Sequence, residues 1–344
     1  MKEGWEVKKL GDVCEIYQPK TISTNSLVEN GKYLVYGANG IIGKYDQYNH
    51  IESELLMTCR GATCGTINIS EPYSWINGNA MVIHPIEGNI IMPYLKYVLS
   101  GIDLSNVITG AAQPQITRQS LSPLLIPIPP LSEQSRIVEE LDQLSNIIEK
   151  KRQQLSELDN LAQSIFYDMF GDPVTNEKGF PKCTVGDIYK FQYGKGNKIP
   201  ENKGDYPCYG SNGIVGFHTL YNSEDAPIIG HIGAYAGIVN WGTGKHFVTY
   251  NGVICKLKDD RFNTVYGYYM LKNQNYMEKV RGGAAQPFVS YDLLESPKTI
   301  IPPLNLQQLF AQKIEAIEKE KELIKQSIKE TEELFNSRMD YYFG

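Results

Sequence analysis

This chain repeats one sequence pattern at two places, roughly half its length apart. The run YGANGIIG at residues 36–43 returns as YGSNGIVG at residues 209–216. The other repeated runs, in unchanged order, are GAAQP at residues 110–114 and 283–287, and PPL at residues 129–131 and 302–304. Because similar sequences fold alike, the duplication predicts two similar units, each carrying a similar site.

Each copy ends in a long stretch without a helix-breaking residue. Neither glycine nor proline occurs in residues 132–170 or 305–343, as an uninterrupted helix requires. Ser132 and Asn305 are the predicted N-caps, and each helix would be about 58 Å long at 1.5 Å per residue. Mostly apolar positions recur in both stretches in steps of four and three, which predicts a coiled-coil seam. The seam positions are Ile137, Leu141, Leu144, Ile148, Lys151, Leu155, Leu158, Ala162, Ile165 and Met169, then Phe310, Ile314, Ile317, Lys321, Ile324, Ile328, Thr331, Phe335, Arg338 and Tyr342.

A long helix with one apolar stripe must bury that stripe against another surface. The nearest partner is the equivalent helix of the other copy, and an antiparallel pair would place one globular part at each end. The two copies would then be related by a pseudo-two-fold axis. Two alternatives stay open, since each helix could instead pair with another protein or fold onto its own globular part.

The globular parts mix short β-rich runs with short helices and many Gly-Asn turns, which predicts an α+β fold. Residues 80–83, 124–128, 252–255 and 299–301 are predicted strands, and residues 94–99 and 266–271 are predicted helices. The predicted division is residues 1–131 and 183–304 as globular domains, 132–170 and 305–344 as helices, and 171–182 as a linker.

Composition excludes several classes of protein. The net charge is −6, which argues against nonspecific nucleic-acid binding and requires any DNA contact to be a local basic patch. The six cysteines lack zinc-site spacing, which indicates reduced thiols in a cytoplasmic protein. Neither a signal peptide nor a membrane span is expected from the hydropathy pattern.

Enzyme motifs are missing from the sequence. There is no GxxxxGK[ST] phosphate loop, and the glycines at positions 37, 40 and 43 are interpreted as turn residues. Asp292, Glu295 and Lys298 do not have the spacing of a nuclease triad, and the five histidines do not cluster. We therefore predict no catalytic residue, no cofactor and no metal.

Four runs together carry a family resemblance. They are WEVKKLGDV at residues 5–13, GAAQPQIT at 110–117, IPIPPLSEQ at 126–134, and CTVGDI at 183–188, where the second copy opens. In this order, and followed by heptad helices, they resemble the specificity subunit of type I restriction-modification systems. The resemblance covers essentially the whole chain.

That resemblance implies two target recognition domains separated by two long antiparallel coiled-coil helices. It implies that the chain binds double-stranded DNA at a two-part target and recruits two modification (methyltransferase) subunits and the restriction (endonuclease and translocase) subunits, with no membrane involved. It also implies a chain without catalytic activity, because S-adenosylmethionine, magnesium and ATP belong to its partners. Two major-groove readers would be spaced by roughly 34 Å, one turn of DNA, or a small multiple. Since the two domains differ in sequence, the target should be asymmetric.

Base readout needs Arg, Lys, Asn or Gln in loops, while phosphate contacts add Ser, Thr and Tyr. The candidates in the first domain are Lys44, Tyr45, Arg60, Gln113, Gln115, Thr117 and Arg118. Those in the second domain are His218, Tyr235, Lys245, Lys279, Arg281, Gln286 and Ser290. Arg60 could instead form a surface salt bridge, and Gln113 and Gln286, present in both copies, could shape their loops rather than read bases. The position of Arg60 is occupied by Ile232 in the second copy, and such differences should determine specificity.

Two other functions remain compatible with the sequence. The chain could be an interaction scaffold whose coiled coil binds a protein and whose globular parts bind no DNA. It could also be a carbohydrate- or nucleotide-processing enzyme with a duplicated fold, although this would require a pocket of acidic residues or a metal site.

Overall fold

A computed structural model describes the chain at residues 4–86, 88–110, 113–196, 203–258, 261–279 and 286–344. The chain divides into two compact units, each with its own hydrophobic core. Unit 1 comprises Met1–Lys151 and Gln326–Gly344, and unit 2 comprises Arg152–Lys325. Within these described ranges, no helix combines the length and the apolar character needed to cross a membrane.

Unit 1 is built from small sheets and short helices. Its elements are β1 (Glu6–Lys9), α1 (Leu10–Val13), β2 (Cys14–Tyr17), β3 (Tyr33–Gly37), β4 (Gly40–Tyr45), β5 (Leu55–Thr58), β6 (Ile67–Ile69), β7 (Trp75–Ile76), β8 (Ala80–Pro85), α2 (Met92–Gly101), α3 (Arg118–Leu121) and β9 (Leu125–Ile128). The strands form a four-stranded sheet in the order β2-β8-β5-β6, a three-stranded sheet in the order β4-β3-β7, and the pair β1-β9. Helix α4 (Leu131–Phe170) follows and continues into unit 2.

Unit 2 repeats this plan. Its elements are β10 (Lys182–Thr184), α5 (Val185–Ile188), β11 (Tyr189–Tyr193), β12 (Tyr206–Gly210), β13 (Gly213–His218), β14 (Ser223–Gly230), β15 (Val239–Val248), β16 (Gly252–Leu257), α6 (Thr264–Lys272), α7 (Tyr276–Lys279), α8 (Tyr291–Glu295) and β17 (Lys298–Ile300). Helix α9 (Leu304–Phe343) begins in unit 2 and ends in unit 1. The strands form one six-stranded sheet in the order β11-β16-β14-β15-β12-β13, and the pair β10-β17.

One long strand explains why unit 2 has a single large sheet where unit 1 has two. β15 pairs with β14 on one side and, in parallel, with β12 on the other. In unit 1 the same two roles belong to the separate strands β6 and β7. Pro72 lies between β6 and β7, and proline cannot donate a hydrogen bond to a sheet. Residues 239–248 contain no proline, so the strand continues.

The predicted α+β class is confirmed, as are the predicted strands and the short helices α2 and α6. The predicted helix seam is also confirmed, because every seam position of α4 and α9 is buried or half-buried. Both helices are 40 residues long. All six cysteines lie in the described ranges as free thiols.

The predicted N-caps are wrong, because each helix begins before the predicted capping residue. In α4 the backbone N–H groups of Glu133 and Gln134 both donate to the Pro130 carbonyl, at 2.9 and 3.0 Å. Proline carbonyls can accept although proline cannot donate, so the helix begins at Leu131 and Ser132 lies inside its first turn. In α9 the Pro303 carbonyl has the same role, and Asn305 is likewise inside the helix.

A buried glutamine fixes the start of each long helix. Gln134 is fully buried, accepts the Ile91 N–H at 3.0 Å and donates to the carbonyls of Asn89 (3.0 Å) and Pro129 (2.9 Å). Gln134 thus ties the start of α4 to the segment that precedes the short helix α2. Because a buried amide needs such partners, the angle between helix and globular part is specified locally.

Gln307 repeats these bonds at the start of α9. It is fully buried, accepts the Asn263 N–H at 2.8 Å and donates to the carbonyls of Arg261 (3.0 Å) and Pro302 (2.8 Å). Gln134, the last residue of the run SEQ at residues 132–134, therefore has the same structural role in the first copy as Gln307 has in the second.

Within each unit, α4 and α9 pack against each other in antiparallel order. In unit 1, Glu140 accepts from Arg338 at 2.7 Å and from the Tyr342 hydroxyl at 2.7 Å. The polar seam residue Lys151 donates to the Ser327 hydroxyl further along the pair. In unit 2, the seam residue Lys321 pairs with Asp159 at 2.8 Å, and burial of apolar seam residues supplies the remaining stabilisation.

Candidate nucleic-acid interface

Three loops meet in unit 1. The loop after β5 is joined to residues 113–117 by two backbone hydrogen bonds, Gly61 N–H to the Pro114 carbonyl (3.0 Å) and Ile116 N–H to the Cys59 carbonyl (3.0 Å). The turn between β3 and β4 joins the same group of loops through Asn39, whose side-chain oxygen accepts the Thr63 hydroxyl at 2.6 Å. The three segments thus form one continuous surface at the sheet edge.

The same three loops meet in unit 2, where two backbone bonds match those of unit 1. The Gly233 N–H donates to the Pro287 carbonyl at 2.9 Å, and the Val289 N–H donates to the His231 carbonyl at 2.9 Å. The turn between β12 and β13 joins through Ser211, whose hydroxyl lies 2.9 Å from the carbonyls of residues 232 and 251. The two backbone bonds match those of unit 1, so the loops after β5 and β14 are held in the same way, whereas the turn between β12 and β13 is joined by a different side-chain contact.

Glycines make this backbone possible. Gly61 and Gly233 have φ of +89° and +93°, and Gly65 and Gly237 have φ of +93° and +92°. These values fall in the left-handed region, where a side chain is strained. At Gly237 a Cβ would also lie only 2.5 Å from the Met277 backbone nitrogen. The loop conformation therefore depends on glycine in both copies.

The side chains on this shared backbone differ between the units. Arg60 and Gln115 face each other across an isolated antiparallel bridge in unit 1, and Ile232 and Phe288 do so in unit 2. Tyr235, which is 51% exposed, follows the second bridge. At this bridge unit 1 therefore carries two hydrogen-bonding side chains, and unit 2 carries two apolar side chains.

The structure brings some of the predicted unit 1 residues together and separates others. Arg60, Gln113 and Gln115 lie on the joined loops, and both Arg60 and Gln113 are exposed. Lys44 is exposed on β4, and the half-buried Tyr45 contacts Trp75 edge-to-face with ring centroids 5.4 Å apart.

Thr117 and Arg118 stand at the start of α3. The Thr117 hydroxyl oxygen accepts the Ser120 N–H at 3.1 Å, which makes this threonine the N-cap of the helix. Arg118 is exposed one residue later. In unit 2 the predicted residue Ser290 has the same position, since its hydroxyl oxygen caps α8 by accepting the Leu293 N–H at 3.4 Å.

The other predicted residues of unit 2 are more dispersed. Gln286 and Tyr235 are exposed on the joined loops. His218 stacks on Phe247 with ring centroids 4.0 Å apart, and its Nδ1 accepts the N–H of residue 220 at 2.9 Å. Arg281 lies outside the described residues.

The two predicted lysines of unit 2 already have partners. Lys245 lies 4.9 Å above the ring of Tyr221, and Lys279 donates to the Gln274 carbonyl at 2.6 Å. Cation–π contact leaves an ammonium able to meet a phosphate, whereas the bond to Gln274 holds Lys279 against its own loop.

Sequence reasoning missed an aromatic cluster beside the unit 2 loops. Tyr193 stacks between His231 and Tyr291, with ring centroids 4.3 Å away on each side, and Tyr250 contacts both Tyr193 and His231. Burial, together with the neighbouring Tyr291 and Tyr250, raises the pKa of Tyr193. One available signal was that His231 stands where the first copy has Cys59.

The salt-bridge alternative for Arg60 finds no support in the ranges that the structure covers, where no carboxylate lies within ion-pair distance of its guanidinium. Over the same ranges, no three His, Cys, Asp or Glu side chains come together in the manner of a metal site. The loop surface of unit 1 therefore presents a cation that its own fold leaves available to a ligand.

Comparison with known proteins defines the class. Residues 2–160 and 177–333 each match the type I restriction modification DNA specificity domain. These two matches cover most of the chain, and the chain therefore belongs to this family. They also reproduce the internal repeat, so the predicted family and fold class are confirmed.

The relatives and the solved structure that this chain resembles carry the name of type I specificity subunits. The chain is 24% identical to a Methanocaldococcus jannaschii protein assigned as the MjaX type I restriction enzyme specificity subunit, over 96% of this chain and 90% of the relative. It is 25% identical to the Escherichia coli EcoprrI specificity subunit over 41% of this chain and 37% of that protein. The fold resembles the S subunit of a type I restriction-modification system from M. genitalium, with a TM-score of 0.65, 16% identity, and coverage of 99% of this chain and 96% of that one.

Proposed function

We propose that this chain is the DNA specificity subunit of a type I restriction-modification complex. One observation carries the proposal: the same three-loop backbone occurs twice and carries different side chains each time. A protein that reads two different half-sites of one DNA target needs such a pair of surfaces. Residues 1–131 and 183–304 would be the two recognition domains, each reading one half of an asymmetric, two-part sequence.

Readout in this proposal divides between bases and phosphates. In unit 1, Arg60, Gln113 and Gln115 are the proposed base-reading or loop-shaping residues, and Lys44, Tyr45 and Arg118 would contact phosphates. In unit 2, Tyr235, Lys245 and Gln286 would have these roles. Thr117, Ser290, His218 and Lys279 would contribute backbone and loop order, because their polar groups already have intramolecular partners. Arg281 remains a candidate.

The catalytic activities of the complex would belong to partner subunits. Two modification subunits and the restriction subunits would bind it in the bacterial or archaeal cytoplasm, and they would supply S-adenosylmethionine, magnesium and ATP. The proposed division of labour is consistent with a chain of net charge −6. The DNA face would then be a local basic patch, or the methyltransferase subunits would supply much of the phosphate contact.

Long-read methylation mapping tests the proposal. Genomic DNA from cells with and without this gene would be compared, in a strain whose partner methyltransferase gene is intact. We expect loss of one asymmetric, two-part methylated motif on deletion, and its return when the gene is supplied on a plasmid. An unchanged methylome in cells with demonstrated methyltransferase activity would contradict the proposal.

A further inference from the structure

The isolated bridge in each loop surface places two side chains side by side. Residues directly opposite each other in an antiparallel pairing have their side chains on the same face, with Cβ atoms about 5 Å apart. Arg60 and Gln115 are such a pair in unit 1, and Ile232 and Phe288 are such a pair in unit 2. Each pair is therefore one contact element, and the two elements have the same place on the same backbone.

The pair in unit 1 can read a purine edge. A guanidinium donates two parallel hydrogen bonds to O6 and N7 of guanine, and a glutamine amide can both donate to N7 and accept from N6 of adenine. Arg60 is exposed and Gln115 is half-buried. Among the described residues, neither side chain has a hydrogen-bond or ion-pair partner that would compete with a base.

The pair in unit 2 cannot form those bonds. Neither Ile232 nor Phe288 carries a polar side-chain group, and Phe288 is 39% exposed. What distinguishes bases for an apolar group in the major groove is the 5-methyl group of thymine. Tyr235 adds further apolar surface in the same loop, and its exposure leaves it accessible to the same ligand.

We propose that these bridged pairs are specificity determinants of different chemistry. Arg60 with Gln115 reads a purine of the first half-site through hydrogen bonds, with guanine opposite Arg60. Ile232 with Phe288 reads the methyl group of a thymine in the second half-site through apolar contact. This inference rests on the proposed function and adds the kind of base that each unit recognises.

Base analogues test it directly. The complex of this chain with its methyltransferase subunits would be titrated with duplexes carrying the mapped target, in which single guanines are replaced by 7-deazaguanine and single thymines by deoxyuridine. We expect one 7-deazaguanine in the first half-site to weaken binding about 10-fold or more, the scale of a bidentate contact. One deoxyuridine in the second half-site should weaken binding about 4-fold, the scale of one methyl group.

Variants connect these losses to the pairs. In Arg60→Met the 7-deazaguanine penalty should disappear, because a thioether side chain has no donor for guanine N7. In Phe288→Gln the deoxyuridine penalty should disappear, while Phe288→Leu, which stays apolar, should keep part of it. The double variants R60I/Q115F and I232R/F288Q carry pairs that the same backbone already holds in the other unit, and each should change the preferred base in its own half-site alone.

The outcomes separate the inference from the proposed function. If the wild-type complex methylates a two-part motif but the analogue penalties persist unchanged in the variants, the pairs do not read bases and the inference is wrong. The inference would also be wrong if a substitution in one unit changed the preferred base only in the half-site assigned to the other unit. If the wild-type complex shows no two-part motif, the proposed function itself has failed. Circular dichroism on each variant, with the wild-type chain as reference, identifies any loss caused by misfolding.

Discussion

The loop surfaces of the two units share a backbone and differ in chemistry. In unit 1 the bridge carries Arg60 opposite Gln115, whereas in unit 2 it carries Ile232 opposite Phe288. The backbone bonds that hold the loops have lengths within 0.1 Å of each other in the two units, and glycines with φ near +90° occur at matching positions. The residues that hold the backbone are therefore not the residues whose side chains differ, so these side chains can change while the backbone stays the same.

The attachment of the globular parts to the long helices is also the same in the two units. Gln134 and Gln307 make the same three hydrogen bonds in their respective units. The side chains of the loop surfaces can vary without disturbing the fold only if these attachment points stay the same. The following predictions test how far this equivalence between the units extends.

The buried glutamines should give the largest effect on stability. Gln134→Ala and Gln307→Ala each remove three hydrogen bonds and leave a buried N–H and two carbonyls without that partner. Each variant should lose about 3 kcal/mol of unfolding free energy, since one unsatisfied buried group costs about 1–3 kcal/mol. Denaturant unfolding of both variants measures this, with Gln143→Ala on the exposed face of α4 as control. A large loss in only one of the two would show that the joints are not equivalent.

A smaller effect should distinguish two matched loop glycines. Gly65→Ala and Gly237→Ala share a left-handed φ, which costs each about 1–2 kcal/mol. At Gly65 the new Cβ would meet side chains alone, Leu104 at 3.2 Å and Ile116 at 3.9 Å, but at Gly237 it would meet the Met277 backbone at 2.5 Å. The Gly237→Ala variant should therefore be the less stable by about 1 kcal/mol or more, because backbone atoms cannot move aside as a side chain can. Equal melting temperatures would contradict this reading of the loop in unit 2.

The smallest predicted effect concerns pH. Burial is the main cause that lowers the pKa of both His50 and His246 from 6.5, assisted at His50 by the nearby His84 and opposed at His246 by the Gly244 carbonyl and by Asp225 and Glu224. The unfolded chain then binds protons more readily, so stability falls as pH falls through 6.5 toward the folded pKa values.

Each histidine should contribute at most about 1.4 kcal/mol per pH unit to that slope. Unfolding free energies between about pH 7.5 and 5.5 would measure it, and His50→Gln and His246→Gln should each flatten the dependence. His218→Gln is the matched control, because that ring lies on a half-buried strand end. An unchanged slope in both buried-histidine variants would exclude these groups as the source.

The repeat, the long helices and their seams could be predicted from the sequence because each depends on local pattern. The absence of glycine and proline from residues 132–170 permits a continuous helix, and the four-and-three spacing of its apolar residues indicates the helix and identifies its buried face. The helix start could not be predicted as well, because the Pro130 carbonyl accepts the first bonds and Gln134 is held by a segment 45 residues away. The helix-capping preference of serine at position 132 gives no information about either contact.

The candidate site was predicted only in part for the same reason. Arg60 and Gln115 are distant in the chain, and their pairing follows from the bonds at Gly61 and Ile116, which no local pattern reveals. His218 was chosen by residue type and stays a prediction; its Nδ1 accepts the Leu220 N–H just after β13. The aromatic cluster around Tyr193 is formed by residues from four separate segments, so sequence spacing could not identify it.

Exchange of one recognition domain tests the central claim most directly. Residues 1–131 would be replaced by the corresponding segment of a related specificity subunit with a different target, and the methylome of cells carrying the chimera would be mapped. The account predicts a motif in which one half-site changes to that of the donor and the other half-site stays as in the wild type. A chimera that assembles and methylates DNA, but changes both half-sites or neither, would contradict the claim that each unit reads its own half of the target.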